Sequence, residues 1–255
     1  MKFSRVLILI IISLFLCQSA MAQDKDDKEG EKKGKLKKLG EEYQDKDEDE
    51  DNGSGGFLSI WGFIDPVDLV NALANMKPGP YPYGARQNFF PDSSLPGGIV
   101  KVQGGYFQHS SHLSGILLRY SYSNKRFSII GDMVNLFEEV DQRTDHLNIG
   151  SIRMGWDFVA RPEFLVTGEV GLRSFLDENS PSGPELGMKM TALPGKPLIL
   201  ESEGTIAWIN RKSFATYSVS LGVMIWRSEL LFGGQFYRSP NLTIDGWKLG
   251  LRFWL

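Results

Sequence analysis

Across residues 98–255 the chain alternates between two kinds of residue at every second position, and charge is confined almost wholly to one of the two sets. In "SFATYSVSLGVMIW", residues 213–226, one set is Ala215, Tyr217, Val219, Leu221, Val223 and Ile225; the other is Thr216, Ser218, Ser220, Gly222, Met224 and Trp226. A period of two belongs to an extended strand whose faces meet different surroundings. The pattern recurs between turn signals and predicts strands at 98–108, 112–123, 126–137, 147–159, 163–175, 184–193, 197–209, 213–226, 228–238 and 244–255. Nothing among them has the period, length and caps of a helix. The expected domain, 98–255, is all-β and antiparallel, with an even number of strands.

The connections alternate in length. "SNKR", "ARPE", "PGKP" and "WRSE" are tight, whereas "QHSSH", "FEEVDQRTDHLN" and "LDENSPSGP" are longer and more polar; "NRKS" departs from the trend. Short turns at one end and longer loops at the other suit a transmembrane β-barrel, with the turns periplasmic and the loops outside. The sets Ile116, Leu118, Tyr120, Tyr122; Ile152, Met154, Trp156, Phe158; and Leu186, Met188, Met190 hold no charge and would meet lipid. Phe127, Phe158, Phe164, Trp208 and Trp247 tend to strand ends, where interfacial girdles lie. The opposite faces carry the charges. Set side by side as hairpins they match in sign and height: Arg119 with Asp132, Arg153 with Glu169, Arg173 with Glu185, Lys189 with Glu201, and Glu229 with Arg252. Such pairs predict a filled lumen. The alternative is a soluble ligand-binding barrel of the lipocalin kind, with the same alternation turned inside out; it needs no aromatics at both rims.

The chain ends in "WKLGLRFWL", where Trp247, Leu249, Leu251, Phe253 and Leu255 alternate with other residues. This resembles the C-terminal insertion signal of small bacterial outer-membrane barrels, although Leu255 stands where an aromatic residue is usual. The resemblance covers roughly 98–255 and points to the class, not to one family. It implies outer-membrane lipid and the barrel assembly machinery as partners, and the outer membrane of a Gram-negative-type cell envelope as the location.

Upstream, residues 1–22 have Lys2 and Arg5 before an apolar run from Val6 to Leu16, then Ala20-Met21-Ala22, as in a secretory signal peptide. The run is shorter than the roughly 18 to 20 residues of a spanning helix, and bulky Phe15 and Leu16 disfavour lipoprotein processing at Cys17. That cysteine is the only one, so thiol catalysis and thiolate metal sites are excluded from the mature chain. Residues 23–56 are nearly all charged or Gly, which predicts a disordered tether, placed in the periplasm. Within 57–97, "DPVDLVNALANMKPG" predicts a short helix with Asp65 as N-cap and Pro66 at the first helical position, lying at the membrane interface or plugging the lumen. An aromatic, Pro-rich connector follows. Were 57–64 and 83–90 both to pair, the barrel would have twelve strands.

Candidate chemistry is sparse. His109, His112 and His146 fall in or beside the first two outer loops with Asp145, and imidazoles beside carboxylates can bind metal or move protons. "HSSH" in a loop fixes no geometry. Omptin proteases also have ten strands, but their Asp-x-His element is absent, since Asp145 and His146 are adjacent; lipid A-modifying barrels match only in residue type. Gly-rich phosphate loops and nucleic-acid signatures are missing. The expected role is therefore non-enzymatic, structural or surface-binding through loops that meet an extracellular ligand, with no cofactor, metal or nucleic-acid partner. The alternatives are a rim-site enzyme acting on lipid, peptide or glycan, and a narrow, porin-like channel.

Overall fold

A computed structural model of the chain describes residues 34–43 and 98–255, apart from 125, 141–142, 162 and 177–180. The expected signal peptide and the helix and connector expected over 57–97 lie outside the described residues. Among the described residues, ten strands follow one helix: α1 (Lys35–Tyr43), then β1 (Ile99–Gln108), β2 (Leu113–Asn124), β3 (Phe127–Val140), β4 (Arg143–Arg161), β5 (Phe164–Phe175), β6 (Ser182–Gly195), β7 (Leu198–Ile209), β8 (Lys212–Ile225), β9 (Ser228–Arg238) and β10 (Thr243–Trp254). Each strand pairs antiparallel with its sequence neighbours and β1 pairs with β10, so the sheet closes into the expected ten-stranded barrel. Ten described strands close the barrel, and residues 57–64 and 83–90 lie outside the described residues.

The alternation sorts residues between outside and lumen. Leu118, Met154, Trp156, Phe158, Leu186, Met188, Phe232 and Leu249 are among the large apolar side chains exposed on the outer surface. Arg153, Glu169, Arg173, Glu185, Glu229 and Arg252 are buried. Glycines on the luminal side make room for them: a Cβ at Gly222 would lie 1.9 Å from Glu229 Oε1. The β7–β8 turn has Asn210 and Arg211 at φ 48° and 61°, between paired Ile209 and Lys212. Positive φ at both central residues matches the twist of the flanking strands.

Two sequence expectations are corrected. The stretch "FEEVDQRTDHLN" is not a long loop: Glu138 pairs with Asp145, Glu139 with Thr144 and Val140 with Arg143, so β3 and β4 run on to a tight turn. Backbone pairing needs no apolar side chains where strands rise beyond the apolar band, and polar composition alone misreads such a tip. The second concerns the tether expected to be disordered over 23–56, which contains α1. Its Leu36, Leu39 and Tyr43 fall on one helical face and are buried, a stripe hidden among lysines and glutamates.

Candidate functional site

The lumen is built in three layers. At the end holding the start of β1 and the end of β10, Ile99, Leu193, Ile199, Met224 and Trp254 form an apolar floor. Above it seven cations (Lys101, Arg119, Arg153, Arg173, Lys189, Lys248, Arg252) share the lumen with seven carboxylates (Asp132, Asp157, Glu169, Glu185, Glu201, Glu203, Glu229), which balances the described charge. Above these, Phe107, Leu113, Leu136, Leu147, Phe175, Phe214, Tyr237 and Ile244 line an apolar mouth occupied by α1.

Arg153, 1% exposed at its side chain, lies at the centre of the middle layer. Its Nη1 donates to Glu169 Oε2 at 2.6 Å and to Glu203 Oε1 at 2.8 Å, and its Nη2 to Asp132. Arg119 bonds Asp132 on the neighbouring strand, with Nη2 to Oδ2 at 3.2 Å, and reaches Glu203 Oε1 at 2.8 Å. A second cluster lies nearer the floor. Arg252 donates to Glu201 at 2.5 Å, Glu229 at 3.1 Å and Gln103 at 2.8 Å, while Lys189 lies 3.0 Å from Glu201. Trp254 Nε1 also donates to Glu229, at 2.9 Å. Towards the mouth, Arg173 reaches Glu185 at 2.6 Å and Thr205 at 3.1 Å. Register makes these pairs of two kinds: Arg119 stands directly opposite Asp132 and Arg252 opposite Glu229, whereas Arg153 is opposite Gly171 and reaches Glu169 diagonally. Removing one member of such a pair strands a charge in a poorly solvated space, which costs about 3–5 kcal/mol.

Helix α1 lies across the mouth, and the barrel satisfies both of its ends. Glu138 of β3 accepts from the Leu36 amide at 2.7 Å, placing a carboxylate at the helix N-terminus. At the other end, Asn210 donates to the Tyr43 carbonyl at 2.6 Å and Lys212 to that of Glu42. The Glu42 carboxylate accepts from Ser239 at 2.6 Å and Asn241 at 2.8 Å. Tyr43 donates to the Ser213 carbonyl at 2.7 Å, and its ring stacks on Phe175 at 4.9 Å. Burial pushes the Tyr43 phenol above its ordinary pKa. Nine residues are too few for a stable isolated helix; here the barrel supplies the caps, and each buried apolar side chain adds on the order of 1.5–3 kcal/mol.

No protein-family model matches the chain, and no curated protein matches it. Similar solved structures include the Yersinia pestis outer membrane protein Ail in a phospholipid bilayer nanodisc, at 13% identity, covering 62% of this chain and all of that one, with a TM-score of 0.35. The crystal structure of Ail, the attachment invasion locus protein of Yersinia pestis, matches at 13% identity over 63% of this chain and all of its own, with a TM-score of 0.33. A NanC porin structure matches at 10% identity over 61% of this chain and all of its own, with a TM-score of 0.37.

The candidate rim residues are not brought into one site. His109 Nδ1 bonds the Asp245 carbonyl, and its Nε2 lies 3.1 Å from Lys35 Nζ. His112 sits in the β1–β2 turn, where its amide meets Ser110 Oγ at 3.3 Å. Asp145 and His146 belong to β4; His146 is exposed and packs edge-on against Phe137 at 5.2 Å. Among the described residues, no group of three or more His, Cys, Asp and Glu side chains is placed to hold a metal ion.

Hairpin reasoning could not reach Glu203 as the acceptor shared by Arg119 and Arg153, nor Glu201 as a partner of Arg252. Those contacts cross the lumen between strands far apart in the chain. The signal available was weak: Glu201 and Glu203 are two residues apart, hence on one face.

Proposed function

We propose that this chain is a bacterial outer-membrane β-barrel with a sealed lumen and a non-enzymatic role, structural or surface-binding through its loop end. The observation that carries this reading is the inversion of polarity: an outer belt of large apolar side chains surrounds a core of balanced charges. Monomeric soluble proteins rarely expose continuous apolar surface on that scale, whereas a lipid-facing barrel requires it. An apolar floor, interlocked ion pairs and the helix in the mouth, all among the described residues, support a closed lumen over a conducting one. Binding then falls to the loop end, where β3 and β4 project and the exposed Lys35, Lys37 and Lys38 of α1 face outward.

The test is fractionation followed by planar-bilayer recording. The protein partitions with outer membranes and gives no steady conductance. Recovery in the soluble fraction overturns the membrane assignment, and a large, stable conductance overturns the sealed lumen. Replacing His109, His112 and His146 together with Asn leaves folding and ligand capture unchanged; loss of a hydrolytic activity in that variant would favour an enzyme.

A further inference from the structure

Each of the four tight turns at the floor end of the barrel carries a cation. Arg126 lies between β2 and β3, Arg161 at the end of β4, Lys196 between β6 and β7, and Arg227 between β8 and β9. Arg126, Arg161 and Lys196 are exposed, and Arg227 is partly so. Among the described residues of these turns the one exposed acidic side chain is Glu163. Asp157, also near this end, is 8% exposed, accepts from Thr167 inside the lumen at 2.5 Å and belongs to the balanced luminal set. The turn surface therefore carries four cations against one carboxylate. The loop end is mixed: exposed Lys37, Arg143 and Arg211 share its surface with exposed Glu41 and Glu139.

The four cations also share a height. Each stands within three residues of a large apolar side chain exposed on the outer belt: Arg126 beside Phe127, Arg161 beside Phe158, Lys196 beside Leu198 and Arg227 beside Trp226. The last pair is stacked, with the guanidinium 4.9 Å from the ring centroid, so the edge N–H groups of Arg227 remain directed away from the ring. Neighbouring turns are two strands apart, roughly 10 Å. The result is a collar of charge where the apolar belt meets water, the level at which a bilayer presents its phosphates.

We infer that this collar binds the phosphate headgroups of anionic phospholipids in the leaflet on the turn side. Guanidiniums match phosphate oxygens in paired, charge-assisted hydrogen bonds, and a cation near an anionic bilayer surface gains from its potential. The other anion at hand is the chain's own acidic segment, residues 47–51. It follows Tyr43, which is bonded to Asn210 at the opposite end of the barrel, so lipid is the favoured occupant. The inference rests on the membrane reading above and adds a lipid class and a leaflet to it.

The experiment reconstitutes the full-length mature protein in phosphatidylcholine vesicles and compares spin-labelled phosphatidylglycerol with spin-labelled phosphatidylcholine in the motionally restricted shell around the barrel. Phosphatidylglycerol is favoured roughly fivefold at low salt, and the preference shrinks as salt rises. Replacing Arg126, Arg161, Lys196 and Arg227 together with Gln brings the ratio to parity, whereas Lys37→Gln with Lys38→Gln and Arg143→Gln at the loop end leaves it unchanged. Should the fourfold variant fail to fold, Arg126→Gln and Arg161→Gln singly each lower the ratio. Equal shares of the two lipids around an inserted wild-type barrel overturn the collar and leave the membrane reading intact; a protein that restricts neither lipid overturns both. A preference absent in wild type and gained when residues 47–51 are replaced with Asn and Gln would assign the collar to the acidic segment and overturn the lipid proposal.

Discussion

Arg119 of β2 and Glu203 of β7 meet at 2.8 Å across the barrel, from strands five places apart in a ring of ten. The bond spans the lumen's full width, and Glu203 also holds Arg153 of β4 at 2.8 Å. One carboxylate thus joins three walls. Glu203→Ala leaves the buried Arg153 and the part-buried Arg119 with Asp132 as their one remaining shared acceptor, and we expect a loss of about 3–5 kcal/mol in detergent unfolding. Replacing both partners, Arg119→Met with Glu203→Met, costs less than the sum of the single changes, because no charge is stranded at this contact. Additive losses in the double-mutant cycle would show that the contact is not formed.

The barrel was legible because the contrast between its outer face and lumen writes a period of two into every strand. Hairpin neighbours such as Arg119 and Asp132 follow from that period and the turn positions. Contacts across the lumen do not, since they depend on barrel radius and strand order around the ring. Helix α1 stayed hidden for another reason: Leu36, Leu39 and Tyr43 are three apolar residues in a strongly charged segment. A nine-residue helix is recognisable only once Glu138, Asn210 and Lys212 supply its caps. The β3–β4 tip was misread because its pairing is carried by backbone, not by apolar side chains.

Tyr43 makes the seating of α1 sensitive to alkali. Its phenol is raised above the unfolded value of about 10 by burial. Stability from the neutral, bonded phenol is therefore full below that unfolded value and falls as pH rises above it, because the unfolded state releases the proton first. In wild type, protection of the α1 amides from hydrogen exchange, corrected for intrinsic rate, declines above about pH 10. Tyr43→Phe has lower protection at neutral pH, through loss of the bond to Ser213, and a flatter alkaline profile. Equal slopes in the two proteins would remove Tyr43 as the cause.

The β7–β8 turn holds Arg211 at φ 61°, a region that costs an L-residue with a Cβ on the order of 1–2 kcal/mol. Asn-Gly is the preferred pair for such a turn. Arg211→Gly should raise stability by about 0.5–1 kcal/mol after the entropy glycine loses on folding is deducted, with the Asn210 bond to α1 retained. Chemical denaturation in detergent measures this, and a lowered midpoint would mean that the arginine side chain contributes more than the backbone conformation costs.

The position of α1 fixes which face the tether shares. The Tyr43 carbonyl is bonded to Asn210 in the β7–β8 turn, so the described C-terminal end of α1 lies on the same side as the turn joining β3 to β4. A tether on the side where β1 begins was the expectation from sequence; a seated α1 is incompatible with it. Epitope tags at Lys46 and beside Arg143 should therefore give the same accessibility on intact cells. A lock makes the result interpretable: a Cβ at Gly34 would lie 2.8 Å from Val140 Cγ2, and Cys17 is the only native cysteine. Gly34→Cys with Val140→Cys should form a disulfide in the native protein, visible as faster migration without reductant. If the two tags report opposite faces and the cysteine pair stays reduced under oxidising conditions, α1 does not occupy the mouth in cells, and the upper layer of the lumen is open.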